Sequence, residues 1–191
     1  MYSFQTTIQE TSLTFETHPD LFSPRRADAG TLAMLKTTEL NPGDKVLDLG
    51  CGYGLVGIYA AKILEETDVW MLDSNLTAVR YAQRNAVLNN VPDVSISLSD
   101  GFRNFRETGF TRILSNPPYH TDFAVAKHFI QKGFNRLTIG GEFWFVTKRD
   151  KWYRNKLRAI FGFVDCRIVD SYFVLKAVKK HTNFASKKSG R

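Results

Sequence analysis

The sequence is poor in residues that staple a fold or ligate a metal. It has two cysteines, Cys51 and Cys166, far apart and outside any C-x-x-C zinc or redox spacing. A disulfide framework is excluded, and both thiols are expected to stay reduced. The four histidines, His18, His120, His128 and His181, are too scattered to suggest a metal site, so no metal is expected. No apolar run reaches the roughly 20 residues that span a bilayer. Met1–Thr7 lacks the basic start and apolar stretch of a secretory signal. No membrane partner is therefore expected, and the expected location is cytoplasmic. Internal repeats and low-complexity linkers are also missing. Acidic residues are the last shortage: 19 Asp and Glu face 26 Lys and Arg, a formal net charge of +7. Such an excess attracts polyanions and suits nucleic acid or an anionic membrane surface. A solvated surface accounts for it equally well.

What is present fits one domain. A chain of 191 residues with 43% hydrophobic content can bury a single core. Residues 1–27 are polar with some alternation, as in Ser12-Leu13-Thr14-Phe15-Glu16, which predicts short strands or an ordered arm. The spacing of Leu32, Met34, Leu35 and Leu40 predicts a helix over 30–40, ended by Asn41-Pro42-Gly43. Strands and helices then alternate. Predicted strands cover 45–49, 69–72, 94–98, 112–114 and 142–146; predicted helices cover 54–65, 75–89, 123–137 and 152–161. Helix 75–89 should turn Leu76, Val79, Ala82, Ala86 and Leu88 inward. Two final strands, 164–169 and 172–177, read as an antiparallel hairpin. This order implies a Rossmann-like, doubly wound α/β fold: a mostly parallel seven-stranded sheet with helices on both faces and a C-terminal antiparallel hairpin. In such sheets ligands bind beyond the carboxyl ends of the strands, where strand order reverses.

The segment after the first of these strands reads Asp48-Leu49-Gly50-Cys51-Gly52-Tyr53-Gly54-Leu55-Val56-Gly57. Its glycines permit a tight turn and a close backbone approach to a ligand. The next strand ends in Asp73-Ser74-Asn75, where a carboxylate can accept from two ribose hydroxyls. Two cofactors compete. Gly52-x-Gly54-x-x-Gly57 matches the dinucleotide fingerprint. Gly50-x-Gly52-x-Gly54, with Asp48 two residues ahead, resembles the S-adenosylmethionine loop of class I methyltransferases. That resemblance implies S-adenosyl-L-methionine as cofactor. It implies that Gly50, Cys51, Gly52 and Gly54 line its methionine part, that Asp48 orients its amino end, that Asp73 and Ser74 hold its ribose, and that Asp100 and Gly101 flank its adenine. Plainer roles stand beside these: Asp73 as a cap on the helix near Asn75, and Asp100 as a turn residue.

The fourth strand runs into Ser115-Asn116-Pro117-Pro118-Tyr119-His120. Two prolines stiffen the backbone and remove two N–H donors, so the loop offers oxygens with few competing donors. A planar amino group is a poor nucleophile because its lone pair is delocalised. Acceptors on its N–H atoms, such as the Asn116 side-chain oxygen and the Pro117 carbonyl, localise that pair. Tyr119 can stack on a flat substrate. Such a site works by positioning and electrostatics, without a strong base. Asn116, Pro117, Pro118 and Tyr119 are the catalytic candidates, and Asn116 is a cofactor-binding candidate as well. The plainer reading is a turn.

An N-P-P-Y loop occurs in adenine-N6 methyltransferases on DNA or RNA, in guanine-N2 enzymes on ribosomal RNA, and in glutamine-N5 enzymes on proteins. Leu21-Phe22-Ser23-Pro24-Arg25-Arg26-Ala27-Asp28-Ala29-Gly30-Thr31, taken with the Ser115–His120 segment, resembles the catalytic half of the small-subunit (16S) ribosomal RNA guanine-N2 methyltransferases. The resemblance spans about Phe15 to Lys179 and implies guanine-N2 of 16S rRNA, or the small ribosomal subunit, as partner. It also implies that the segment over 22–30 lies above the cofactor, which makes Phe22, Asp28 and Gly30 further candidates. Residues 1–191 are expected to form one methyltransferase domain, with 1–29 as an arm over the cofactor and 180–191 as a basic tail. Family members carry an additional degenerate N-terminal domain, for which at most about 20 residues are present here. That departure puts the target nucleotide in doubt. A basic run, Lys148, Arg149, Lys151, Arg154, Lys156 and Arg158, interleaved with Trp152 and Tyr153, can track an RNA backbone. Lys179, Lys180, Lys187, Lys188 and Arg191 extend it. A non-enzymatic alternative is an idle methyltransferase-like domain that only binds RNA.

Overall fold

A computed structural model describes residues 1–64, 68–117 and 123–185. The alternation near the N-terminus resolves into a hairpin, β1 (Tyr2–Ile8) and β2 (Thr11–Thr17), with Phe4 opposite Phe15. This hairpin is a two-stranded sheet of its own. The chain continues as α1 (Ala29–Thr37), β3 (Lys45–Leu49), α2 (Leu55–Leu64), β4 (Asp68–Asp73), α3 (Leu76–Leu88), β5 (Ser95–Leu98), β6 (Phe110–Ser115), α4 (Phe123–Arg136), β7 (Leu137–Thr147), α5 (Asp150–Phe161), β8 (Asp165–Val169) and β9 (Tyr172–Val178). The main sheet has the order β5-β4-β3-β6-β7-β9-β8, parallel except for the β7–β9 and β8–β9 pairs. The Rossmann-like sheet read from the sequence is thus the fold of the chain. Chain order reverses between β3 and β6, so the carboxyl ends of β3, β4 and β6 open onto one crevice.

Period-two alternation divides the core between the sheet's faces. Val46, Val69, Met71, Leu114 and Trp144 pack with α1, α2, α3 and the hairpin. Leu47, Leu49, Leu72, Ile113, Phe143 and Phe145 pack with α4 and α5. Among the described residues no helix is long and apolar enough to cross a membrane.

Three expectations change. Helix α3 leaves Leu76 and Leu88 largely exposed, whereas Asn85 and Asn89 are buried. The reason lies in the hairpin, since one edge of β2 needs partners. Asn85 accepts from Glu16 N at 2.8 Å and donates to Glu16 O at 2.9 Å; Asn89 accepts from Thr14 N at 3.0 Å and donates to Thr14 O at 2.7 Å. Two side-chain amides one helical turn apart thereby act as a substitute strand. Next, helix α4 ends at Arg136, and β7 begins with Leu137 rather than at Glu142. Gly140 at φ 85 and an irregular step between Phe110 and Arg112 let the early residues of β7 join the sheet. Finally, Lys179, expected to extend the basic run, does not offer its charge at the surface. It is buried and donates to Leu137 O at 2.7 Å, and that burial lowers its pKa.

Candidate functional site

The crevice floor is the loop from β3 to α2. Gly50 N and Cys51 N both donate to Leu72 O at the end of β4, at 2.8 and 2.9 Å. Gly52 N donates to Asp73 Oδ2 at 2.9 Å, and Asp73 Oδ1 accepts from Asn75 N at 2.8 Å. Asp73 therefore ties two loops together, while the cap of α3 is Asn75, which accepts from Thr77 N. Asp48, 2% exposed, accepts from Gly57 N at 2.9 Å. Burial pushes its carboxyl up to about 7; the Gly57 bond opposes this, and the Asp73 charge adds to it. The Cys51 thiol is buried, and burial pushes its pKa well up, which makes it a poor nucleophile.

The glycines of this loop divide by role. Gly52, at φ 55, lines the cavity, and a Cβ there would meet no protein atom within 4 Å. Gly54 does not line it. A Cβ on Gly54 would come 2.9 Å from Ile58 and 3.3 Å from Ala82, so this glycine serves the packing of α2 against α3. Gly30, expected over the cofactor, also lies outside the lining: a Cβ there would stand 2.8 Å from the Tyr172 ring. Both glycines allow close packing at these positions.

Asp100 and Gly101 line the far end after β5, together with Ser99. Asp100 is largely exposed and pairs with Arg103 at 3.1 Å. Gly101, at φ 57, is crowded by His128 and Phe129 of α4. The opposite wall comes from the segment between the hairpin and α1, which supplies Asp20, Leu21, Phe22 and Asp28. The cavity measures about 310 Å³ and takes in Asp48, Gly50, Cys51, Gly52, Asp73, Ser74 and Asn116 as well. That volume lies at the lower end of the roughly 300–1,000 Å³ of small-molecule sites. Thr31, Val125 and Phe129 also line it and were not singled out from the sequence. Phe129 follows the apolar face of α4, where nothing separates a cavity wall from core.

Asn116, just after β6, carries the most telling geometry. Its Nδ2 donates to Asp28 Oδ1 at 2.8 Å and to Thr31 Oγ1 at 2.9 Å. Its Oδ1 is buried and, among the described residues, has no hydrogen-bond partner. A buried acceptor left open costs about 1–3 kcal/mol, so a donor on a ligand is its natural complement. Pro117 is buried beside it. Pro118 and Tyr119, with His120, lie outside the described residues. Among the described residues no group of three His, Cys, Asp or Glu side chains is placed to hold a metal.

A doubly wound sheet whose switch point holds a glycine-floored cavity with carboxylates at both ends defines a class of nucleotide-type ligand-binding enzyme folds. Within that class the family is specific: residues 12–176 match the methyltransferase small domain, and the chain belongs to that family. The chain is similar to the ribosomal RNA large subunit methyltransferase G of Aeromonas salmonicida, 31% identical over 91% of this chain and 48% of the relative. It resembles the protein of the same name from Yersinia enterocolitica at 30% identity, over 90% of this chain and 46% of the relative. Among solved structures, a T. thermophilus 16S rRNA N2 G1207 methyltransferase in complex with AdoMet and guanosine matches with a TM-score of 0.86 and 28% identity, over 93% of this chain and 50% of that one. The chain thus spans about half the length of the relatives it matches.

Proposed function

We propose that this protein transfers a methyl group from S-adenosylmethionine to the exocyclic N2 amino group of a guanine in ribosomal RNA. The observation that carries the reading is the buried, unpartnered Asn116 Oδ1, held at the edge of the cavity by bonds that occupy the other end of its amide. An amino group brings N–H donors to such an acceptor, and a bond there localises the nitrogen lone pair. The residues present fit the methyl donor. Gly50 and Gly52 leave the floor free of side chains, Asp73 and Asp100 place carboxylates at the polyol and base ends, and Asp48 offers a buried acid toward a cationic group. When bound, the donor supplies an electrophilic methyl on a sulfonium, so the protein needs no strong base. Asn116 and the Pro117 carbonyl orient the amino nitrogen, and Leu21, Phe22 and Phe129 exclude water.

Ribosomal RNA as the substrate is supported by the names of the relatives and by guanosine in the similar T. thermophilus complex. The exposed Lys148, Arg149 and Lys151 lie at the carboxyl edge, next to Trp152 stacked on Phe123 with centroids 4.4 Å apart. They suit a phosphate backbone. The Leu21–Thr31 and Ser115–His120 segments favour small-subunit RNA. Large-subunit RNA, the target in the names of the two relatives, is the second arm of the test. That test is labelled methyl transfer to both ribosomal subunits and to naked RNAs, read by nucleoside mass spectrometry. The expected product is N2-methylguanosine. N6-methyladenosine would overturn the base, methylglutamine in a protein would overturn the substrate class, and no donor binding at millimolar concentration would leave an idle RNA-binding domain.

A further inference from the structure

Asn116 is gripped from one side by the start of α1. Its two Nδ2 hydrogens are both used, one on Asp28 Oδ1 and one on Thr31 Oγ1. Asp28 Oδ1 accepts as well from Thr31 N at 2.8 Å and from the Thr31 hydroxyl at 3.1 Å. Three side chains therefore form a closed ring in which Thr31 donates to Asp28 and accepts from Asn116. A carboxylate can only accept, so it fixes which end of the Asn116 amide faces it. Helix capping alone needs no more than the Thr31 N bond. The further bond crosses 88 residues of sequence to reach the end of β6. The cap is also backed from behind: the Tyr172 ring packs against Gly30, and Lys148 Nζ lies 4.9 Å from the centroid of that ring.

The two ends of an amide are coupled by resonance. Negative charge against the N–H end draws its protons outward and raises electron density on the oxygen, as in any polarised hydrogen-bond chain. We propose that Asp28 and Thr31 are a positioning clamp that locks the Asn116 amide, presents Oδ1 to the substrate's amino group and strengthens it as an acceptor. The substrate named here rests on the methyl-transfer reading; the clamp's geometry does not.

The test is made on the intact ¹⁵N-labelled protein, with the Asn116 side-chain resonances assigned by their loss in Asn116→Ala. Asp28→Asn keeps a good cap and an acceptor but removes the charge. Thr31→Val removes the hydroxyl, and Thr31→Ser restores it. The Asn116 Nδ2 protons should exchange slowly in the wild type, shift in Asp28→Asn, exchange faster in Thr31→Val and recover in Thr31→Ser. On the RNA substrate, kcat should fall about tenfold in Asp28→Asn and in Thr31→Val, the effect of one ordinary hydrogen bond on a barrier. Thr31→Ser should recover the turnover lost in Thr31→Val. Resonances that ignore both variants overturn the clamp, as do shifted resonances with wild-type kcat. A wild type that methylates no RNA while its resonances respond supports the clamp and overturns the methyl-transfer reading.

Discussion

The loop after β3 and the residue after β6 open onto the same crevice, yet they are finished to different degrees. In the loop, Gly50 N and Cys51 N are spent on Leu72 O, Gly52 N on Asp73 and Gly57 N on Asp48. The cavity floor is complete without any ligand. At the end of β6, Asn116 has both donors engaged while its buried acceptor stands open. The difference separates two tasks. Under the proposed function, a donor that must be held in one pose meets a preformed shape, whereas the group to be methylated would complete a contact that the protein leaves unfinished. Preorganisation of this kind acts on positioning and electrostatics rather than on ground-state grip.

The floor can be broken in two distinguishable ways. Gly52→Ala puts a methyl where no protein atom lies within 4 Å, inside the lining of the cavity. Overlap with a ligand costs about 1–3 kcal/mol, so calorimetry should show donor affinity reduced about ten- to a hundredfold. Gly54→Ala, at φ 98 and 2.9 Å from Ile58, should act on the fold instead. A similar penalty lowers the thermal midpoint by several degrees, at roughly 2–4 °C per kcal/mol, while the folded fraction still binds the donor. Equal affinity losses in both variants would erase the distinction between lining and packing glycines. Asp73→Ala frees Gly52 N and Asn75 N together. Donor affinity should drop about ten- to a hundredfold, with little change in the rate of a single turnover at saturating donor, since one charge-assisted bond is worth about 1.5–3 kcal/mol.

The smallest effect concerns pH. Asp48 stands at about 7 in the fold against an ordinary 3.8. The folded chain thus binds this proton more tightly than the unfolded one. The stability it contributes is fully present below about pH 4 and is lost as the pH rises toward 7. The thermal midpoint of the wild type should fall across that window relative to Asp48→Asn. A cationic donor favours the ionised carboxyl, so its affinity should rise several-fold between pH 6 and 8 in the wild type and stay flat in Asp48→Asn. A flat wild-type profile would remove Asp48 from donor binding.

Much of this was legible in the chain because local pattern and global fold agree. The β3 strand, its glycine loop and the acid ending β4 follow from short apolar runs and the residues that punctuate them. The family resemblance added what spacing cannot: which glycine pattern marks which cofactor. Helix α3 turns Val79, Ala82 and Ala86 inward as expected and departs at Leu76 and Leu88, while polar residues are buried for a structural purpose. Asn85 and Asn89 face inward because one edge of β2 lacks a strand partner, and no rule that sends apolar residues inward anticipates that. Gly30 and Gly54 are expected at the cofactor because the 22–30 segment and the glycine loop carry them, whereas the packing that crowds them, from Tyr172 and Ala82, comes from distant parts of the chain. The tie from Asp28 and Thr31 to Asn116 was invisible for the same reason.

The open acceptor of Asn116 is the centre of the proposed site, and Asn116→Ala tests it most directly. Donor binding by calorimetry and methyl transfer to the RNA substrate would be measured side by side on the wild type and the variant. The predicted result is a donor Kd within about twofold of wild type and a kcat reduced at least about a hundredfold, the scale seen when one preorganised transition-state contact is removed. Turnover at the wild-type rate would contradict the account, as would a loss of donor affinity large enough to explain the lost rate.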